Sequence, residues 1–207
     1  MQRHTETEGL PAYDAERLGA ELDLFPTWYM QAHLGVGLDE ARADTWARIR
    51  AYLVERALEQ PRVFVHRDYM PRNLMVCEPV PGILDFQDAL AGPITYDLAS
   101  LLRDAFHSWP VEAEARWLAR YHEAARAADL PVEPDPAALE SDLWSMAAQR
   151  HLKVLGIFAR LRHRDGKPRY LADAPRFHRY LRAEIAADPN LAALGRLLDE
   201  LPRAPHD

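Results

Sequence analysis

The run "VFVHRDYMPRNLMV" (residues 63–76), followed by "PGILDFQDALAGPITYDLASLL" (81–102), places a His, an Asn and several Asp residues between short apolar stretches. His66, Arg67 and Asp68 are consecutive, Asn73 lies five residues after Asp68, and Asp85 lies twelve after Asn73. A carboxylate on a loop beside a strand can face a cleft and accept a proton from a hydroxyl group. An asparagine and a second aspartate on adjoining strands can offer oxygen atoms to one Mg²⁺, which prefers oxygen ligands. A base beside such a metal pair suits phosphoryl transfer, where positioning and charge neutralisation supply most of the catalysis. Asp and Asn are also common turn formers. Their joint spacing, with β-rich runs on both sides, favours the chemical reading over turns alone.

The elements that position these residues are short strands among helices. "VFVH", "NLMV" and "GILDF" are β-rich and separated by turn residues, with Pro79, Pro81 and Gly82 between the last two, which predicts a small hairpin. The rest has helical periodicity. Trp46, Ile49, Leu53 and Ala57 form one stripe, with Asp39 placed to cap its start. Leu98, Leu101, Leu102, Ala105 and Phe106 form a second stripe directly after the motif region. Leu139, Leu143, Met146, Val154, Ile157, Phe158 and Leu161 form a longer one, and Leu191, Leu194, Leu198 and Leu201 the last. All four are expected to face the core. "LPVEPDPAAL" reads as a connection between helices. The fold class is therefore mainly α with a small β-hairpin.

The chain has 207 residues, 48% of them hydrophobic, enough for one sizeable core. A net charge of −7 argues against a broad nucleic-acid or anionic-membrane face. The single cysteine, Cys77, allows no internal disulfide and suits a reducing compartment. No apolar run reaches the roughly 20 residues of a membrane span, and the first residues carry no secretory signal, so a cytoplasmic protein is expected. Neither HExxH, GxSxG nor a P-loop occurs. A second "HRDG", His163 to Gly166, has Tyr170 where an Asn would be needed and reads as a polar loop beside a basic face of Arg160, Arg162, Arg164, Lys167 and Arg169.

"HRDYMPRN" with "LDF" resembles the catalytic loop and metal-binding segment of the protein-kinase-like superfamily. "DALAGPITYDLASLL" points to its aminoglycoside phosphotransferase and choline kinase branch. With "ELDLFPTWYMQAHLG" added, the wording is similar to the anomeric amino-sugar kinases of bacterial cell-wall recycling, which use ATP to phosphorylate the C1 hydroxyl of N-acetylmuramate and N-acetylglucosamine. The resemblance implies that Asp68 is the catalytic base, that Asn73 and Asp85 hold Mg²⁺ and through it ATP, and that His66 braces the loop. Asp97 would be the buried, structural Asp that holds the loop backbone, a role compatible with capping a helix. Asp88 could add a metal contact, bind a sugar hydroxyl or be a solvated Asp. Trp28 and Tyr29 could stack on a sugar ring or belong to the core. Met70 stands where protein kinases carry a Lys, which disfavours a protein substrate, although Arg72 could supply charge nearby.

Kinases of this superfamily also need a Gly-rich loop and a strand Lys paired with a helix Glu. Only 65 residues precede His66, and they contain neither. The expectation is a single C-terminal lobe over residues 1–207 from a longer protein, with a missing N-terminal nucleotide lobe as partner and a monomer when complete. Its ligands would be a sugar and a nucleotide. Two alternatives stay open: a non-catalytic remnant that binds a small molecule or partner chain, and a kinase whose acceptor is an aminoglycoside, choline or homoserine.

Overall fold

The computed structural model describes residues 1–78 and 81–202. In chain order these form α1 (Ala15–Leu22), a π-helical stretch Phe25–His33, α2 (Glu40–Glu59) and β1 (Arg62–Val65). A 3-10 turn Pro71–Asn73, β2 (Leu74–Met75), β3 (Gly82–Ile83), β4 (Leu90–Pro93) and α3 (Tyr96–Leu102) follow. Then come α4 (Val111–Ala127), α5 (Pro136–His163), a 3-10 stretch Pro168–Asp173, α6 (Ala174–Ala187), a 3-10 turn Pro189–Leu191 and α7 (Ala192–Glu200). The chain divides into two compact units, residues 1–14 with 56–147, and residues 15–55 with 148–207.

The first unit holds both strand pairs and the motif region. The expected hairpin forms from β2 and β3, with Leu74 opposite Ile83 and Met75 opposite Gly82. Pro79, one of the expected turn residues, lies outside the described residues. "VFVH" does not join that hairpin. β1 pairs antiparallel with β4, from Arg62 opposite Pro93 to Val65 opposite Leu90. Gly92 and Pro93 have turn propensity, and their strand role comes from packing. A Cβ on Gly92 would sit 2.8 Å from the Tyr13 Cβ, so only glycine lets that residue lie over the strand. The N-terminal segment adds to the same strand: the Tyr13 N–H donates to the Ala91 carbonyl at 2.9 Å, and the Ala91 N–H donates to the Pro11 carbonyl at 2.9 Å.

The second expected stripe is interrupted. α3 ends at Leu102, and the Asp104 carboxylate accepts from the Phe106 and His107 N–H groups at 2.8 Å each. That side-chain bonding offers the backbone an alternative to the helix ladder, which is why Ala105 and Phe106 fall outside it. Leu98, Ala99 and Leu102 pack with Leu143 and Ala147, and Leu118 and Tyr121 lie against them. Gln60 ties the start of α3 to α5: its carbonyl oxygen accepts from the Thr95 hydroxyl at 2.7 Å, and its amide donates to the Asp142 carbonyl at 3.0 Å. Arg103 forms a buried ion pair with Glu114 at 2.9 Å while its guanidinium lies 4.4 Å from the Trp144 ring centre.

In the second unit Asp39 caps α2 as expected, accepting from the Arg42 N–H at 2.9 Å. Trp46, Ile49 and Leu53 are buried along the helix, and Ala57 is buried within the first unit. Of the long stripe on α5, Leu139, Leu143, Met146, Val154 and Phe158 are buried, while Ile157 and Leu161 are half-buried. Leu191, Leu194 and Leu198 are buried and Leu201 is half-buried. In the second "HRDG", His163 ends α5 and Arg164 to Gly166 form an exposed turn, with Gly166 at φ 64° and Arg164 paired to Asp165. No helix among the described residues is long and apolar enough to cross a membrane.

Candidate active site

β1 delivers the chain to the motif and α3 suspends it. Asp97, in the first turn of α3 and 4% exposed, accepts from the His66 N–H at 2.7 Å and from the Arg67 N–H at 3.0 Å. The helix begins after Thr95, so Asp97 lies inside the helix and serves the loop, not the helix end. Arg67 takes φ 75°, a left-handed conformation that costs a non-glycine residue on the order of 1–2 kcal/mol. Both amide donations to Asp97 hold that turn, and beyond it Asp68 is exposed.

The loop then closes on itself. The Asp68 carbonyl accepts from the Met70 N–H at 3.0 Å and from the Asn73 side-chain amide at 2.9 Å. With its amide nitrogen committed in this way, Asn73 has its side-chain oxygen left to offer. The Asn73 backbone carbonyl accepts from the Leu84 N–H at 3.0 Å, which extends the β2–β3 ladder by one residue. The hairpin thus brings Asp85 to the same end as Asn73 despite the twelve residues between them. Asp85 is exposed and takes φ 61°, at the point where the chain leaves the ladder.

His66 is fully buried, and its two ring nitrogens have no hydrogen-bond partner among the described residues. Its ring meets Tyr69 edge-on at 6.0 Å, so its side chain packs beneath the loop and is closed to substrate. Burial raises the Tyr69 hydroxyl pKa, and the charge of Asp97 adds to the rise. Asp88 is exposed in the turn that leads to β4. Trp28 and Tyr29 belong to the other unit. Trp28 is half-buried. Tyr29 is 2% exposed, lies stacked on Phe25 with ring centres 5.5 Å apart, and its hydroxyl bonds His178 Nε2 at 2.6 Å. Burial pushes its pKa up to about 12. Of the two readings open for Tyr29 in the sequence, its burial matches the core one.

Two features escape a reading of the motif alone. The Arg72 guanidinium lies 3.4 Å from the centre of the Phe106 ring, across the loop that follows α3. Beside it in sequence, His107 and Trp109 meet edge-on at 4.2 Å, and Trp109 meets Trp117 at 5.0 Å. The aromatic run "FHSW" after "YDLASLL" is the signal that could have drawn notice. The hairpin also exposes apolar side chains around Asp85: Met75, Val76, Leu84 and Phe86 are 54%, 105%, 45% and 64% exposed.

Asn73 and Asp85 present hard oxygen donors of the kind Mg²⁺ takes, and no group of three or more His, Cys, Asp or Glu gathers to hold a metal among the described residues. A pair of protein ligands completed by phosphate oxygens and water is the usual Mg²⁺ arrangement at a phosphoryl-transfer site, so the residues fit that ion. A mainly helical lobe carrying this loop and hairpin is the C-terminal lobe of a kinase-like fold. The chain belongs to the phosphotransferase enzyme family, whose model matches residues 1–140. It is 58% identical over 196 residues to an N-acetylmuramate/N-acetylglucosamine kinase of Pseudomonas aeruginosa, covering 94% of this chain and 57% of that protein. Proteins of the same description in Pseudomonas putida and Neisseria meningitidis are 52% and 47% identical, with 97% of this chain and 59% and 60% of theirs covered. The chain therefore spans less than two thirds of the length of these relatives.

Proposed function

We propose that residues 1–207 form the catalytic-loop and substrate lobe of an ATP-dependent kinase that phosphorylates the anomeric hydroxyl of N-acetylmuramate or N-acetylglucosamine. The observation that carries the reading is the loop held by Asp97, which leaves Asp68 exposed while the hairpin brings Asn73 and Asp85 to one end. The described relatives supply the acceptor class. In this reading Asp68 orients the C1 hydroxyl and takes its proton as the sugar oxygen bonds to the γ-phosphorus and the bond to ADP breaks. Asn73 and Asp85 would hold Mg²⁺, which neutralises charge on the phosphates when bound. The exposed apolar side chains of the hairpin suit a nucleotide base. His66 and Asp97 act as positioning residues by fixing the loop backbone. A kinase drawing on ATP to recycle cell-wall sugars would work in the cytoplasm, which suits a chain with a single cysteine.

The test uses the protein that carries these residues, with ATP, Mg²⁺ and each sugar, and phosphorus NMR to detect the sugar 1-phosphate. Asp68→Asn should lower turnover about 10²–10⁴-fold with the fold intact. Asp85→Asn should weaken turnover and raise the Mg²⁺ concentration needed for it. Full turnover in the Asp68 variant would remove its role as base. Product from an aminoglycoside, choline or homoserine in place of the sugars would change the acceptor. The four exposed apolar side chains equally favour a non-catalytic remnant docked on another chain, and sugar binding with neither nucleotide binding nor turnover would support it.

A further inference from the structure

Arg72 stands on the closed loop between Asp68 and Asn73, exposed, with its guanidinium face against Phe106 at 3.4 Å. The seat is rigid. Asp104, 2% exposed, accepts from the Phe106 and His107 N–H groups at 2.8 Å each. The Trp109 indole N–H donates to the Leu101 carbonyl at 2.9 Å, which pins the far side of the same loop to α3. Stacking on an aromatic face satisfies the plane of a guanidinium and leaves its N–H edge for an anion. No carboxylate pairs with Arg72 among the described residues.

We infer that Arg72 is the specificity-determining residue that reads the acceptor's carboxylate, so that it favours N-acetylmuramate over N-acetylglucosamine. The inference rests on the proposed sugar-kinase function. The two sugars differ by the lactyl ether of the muramate, which carries a carboxylate at neutral pH. A site that serves both must tolerate the carboxylate's absence. A buried arginine would be left as an uncompensated charge when the neutral sugar binds. An exposed arginine resting on Phe106 remains solvated and stacked in either complex, and adds a charge-assisted bond only with the muramate.

The experiment is calorimetric binding of N-acetylmuramate, its methyl ester and N-acetylglucosamine to the protein carrying this chain, as wild type, Arg72→Met, Arg72→Lys and Phe106→Leu. Wild type should prefer the muramate to its ester, and Arg72→Met should cut the muramate-to-glucosamine affinity ratio about tenfold or more. Arg72→Lys should recover part of that ratio, and Phe106→Leu should reduce it by removing the seat. An unchanged ratio in Arg72→Met overturns the inference, as does an equal loss with both sugars, which would instead place the charge on the transferred phosphoryl group. Failure of wild type to bind either sugar overturns the proposed function itself.

Discussion

The Asp97 carboxylate is the joint on which the loop from His66 to Asn73 hangs, and Asp97→Asn tests it with almost no change in volume. The carboxylate receives two backbone N–H groups, a buried one from His66 at 2.7 Å and a part-buried one from Arg67 at 3.0 Å. Hydrogen bonds to a charged group contribute on the order of 1.5–3 kcal/mol each, and a neutral one about 1 kcal/mol. Asparagine keeps one acceptor oxygen and turns an NH₂ group toward the second N–H, which loses its partner. Release of the left-handed Arg67 conformation offsets roughly 1–2 kcal/mol of that loss. The net destabilisation should be about 1–3 kcal/mol, a fall in Tm of roughly 2–12 °C for a chain of this size. Scanning calorimetry measures the shift, and amide hydrogen exchange at His66 and Arg67 should accelerate locally. A Tm change under about 1 °C with unaltered exchange at both amides would refute the suspended-loop account.

Other outcomes follow from single contacts. Gly92→Ala should cost about 1–3 kcal/mol in urea unfolding, because its Cβ would lie 2.8 Å from the Tyr13 Cβ; unchanged stability would show that Tyr13 yields freely. The His178 pKa is lowered first by burial and then by the Arg182 charge, so the folded state binds fewer protons than the unfolded chain. Its contribution to stability is complete above the ordinary histidine value near 6.5 and is lost as pH falls through the lowered folded value. Tm should therefore drop between about pH 7.5 and 5 more in wild type than in His178→Gln, and parallel curves would exclude His178 as the source.

Much of the helical framework was legible because it rests on local periodicity. The stripe from Trp46 to Ala57 and its Asp39 cap follow from spacing and one side-chain bond, both available within a few residues of chain. The break after Leu102 was harder to see, since it depends on whether Asp104 bonds backward to solvent or forward to Phe106 and His107. β4 was harder still. Gly92 and Pro93 carry turn propensities, and the strand exists because β1 and the segment around Tyr13 supply partners from distant parts of the chain.

For the site, the amino-acid sequence by itself determined the identities and spacing of Asp68, Asn73 and Asp85, and with them a reading of phosphoryl-transfer chemistry. Those are properties of residue type and short-range order, which a string of letters contains in full. The tertiary structure decided the rest: that Asp97 holds the loop through two N–H groups, that the hairpin brings Asn73 and Asp85 to one end, that Tyr29 is closed into the core, and that Arg72 rests on Phe106. Each of these depends on contacts between residues far apart in the chain or on burial. Local propensity carries no information about either, because it is packing that selects which distant partners meet.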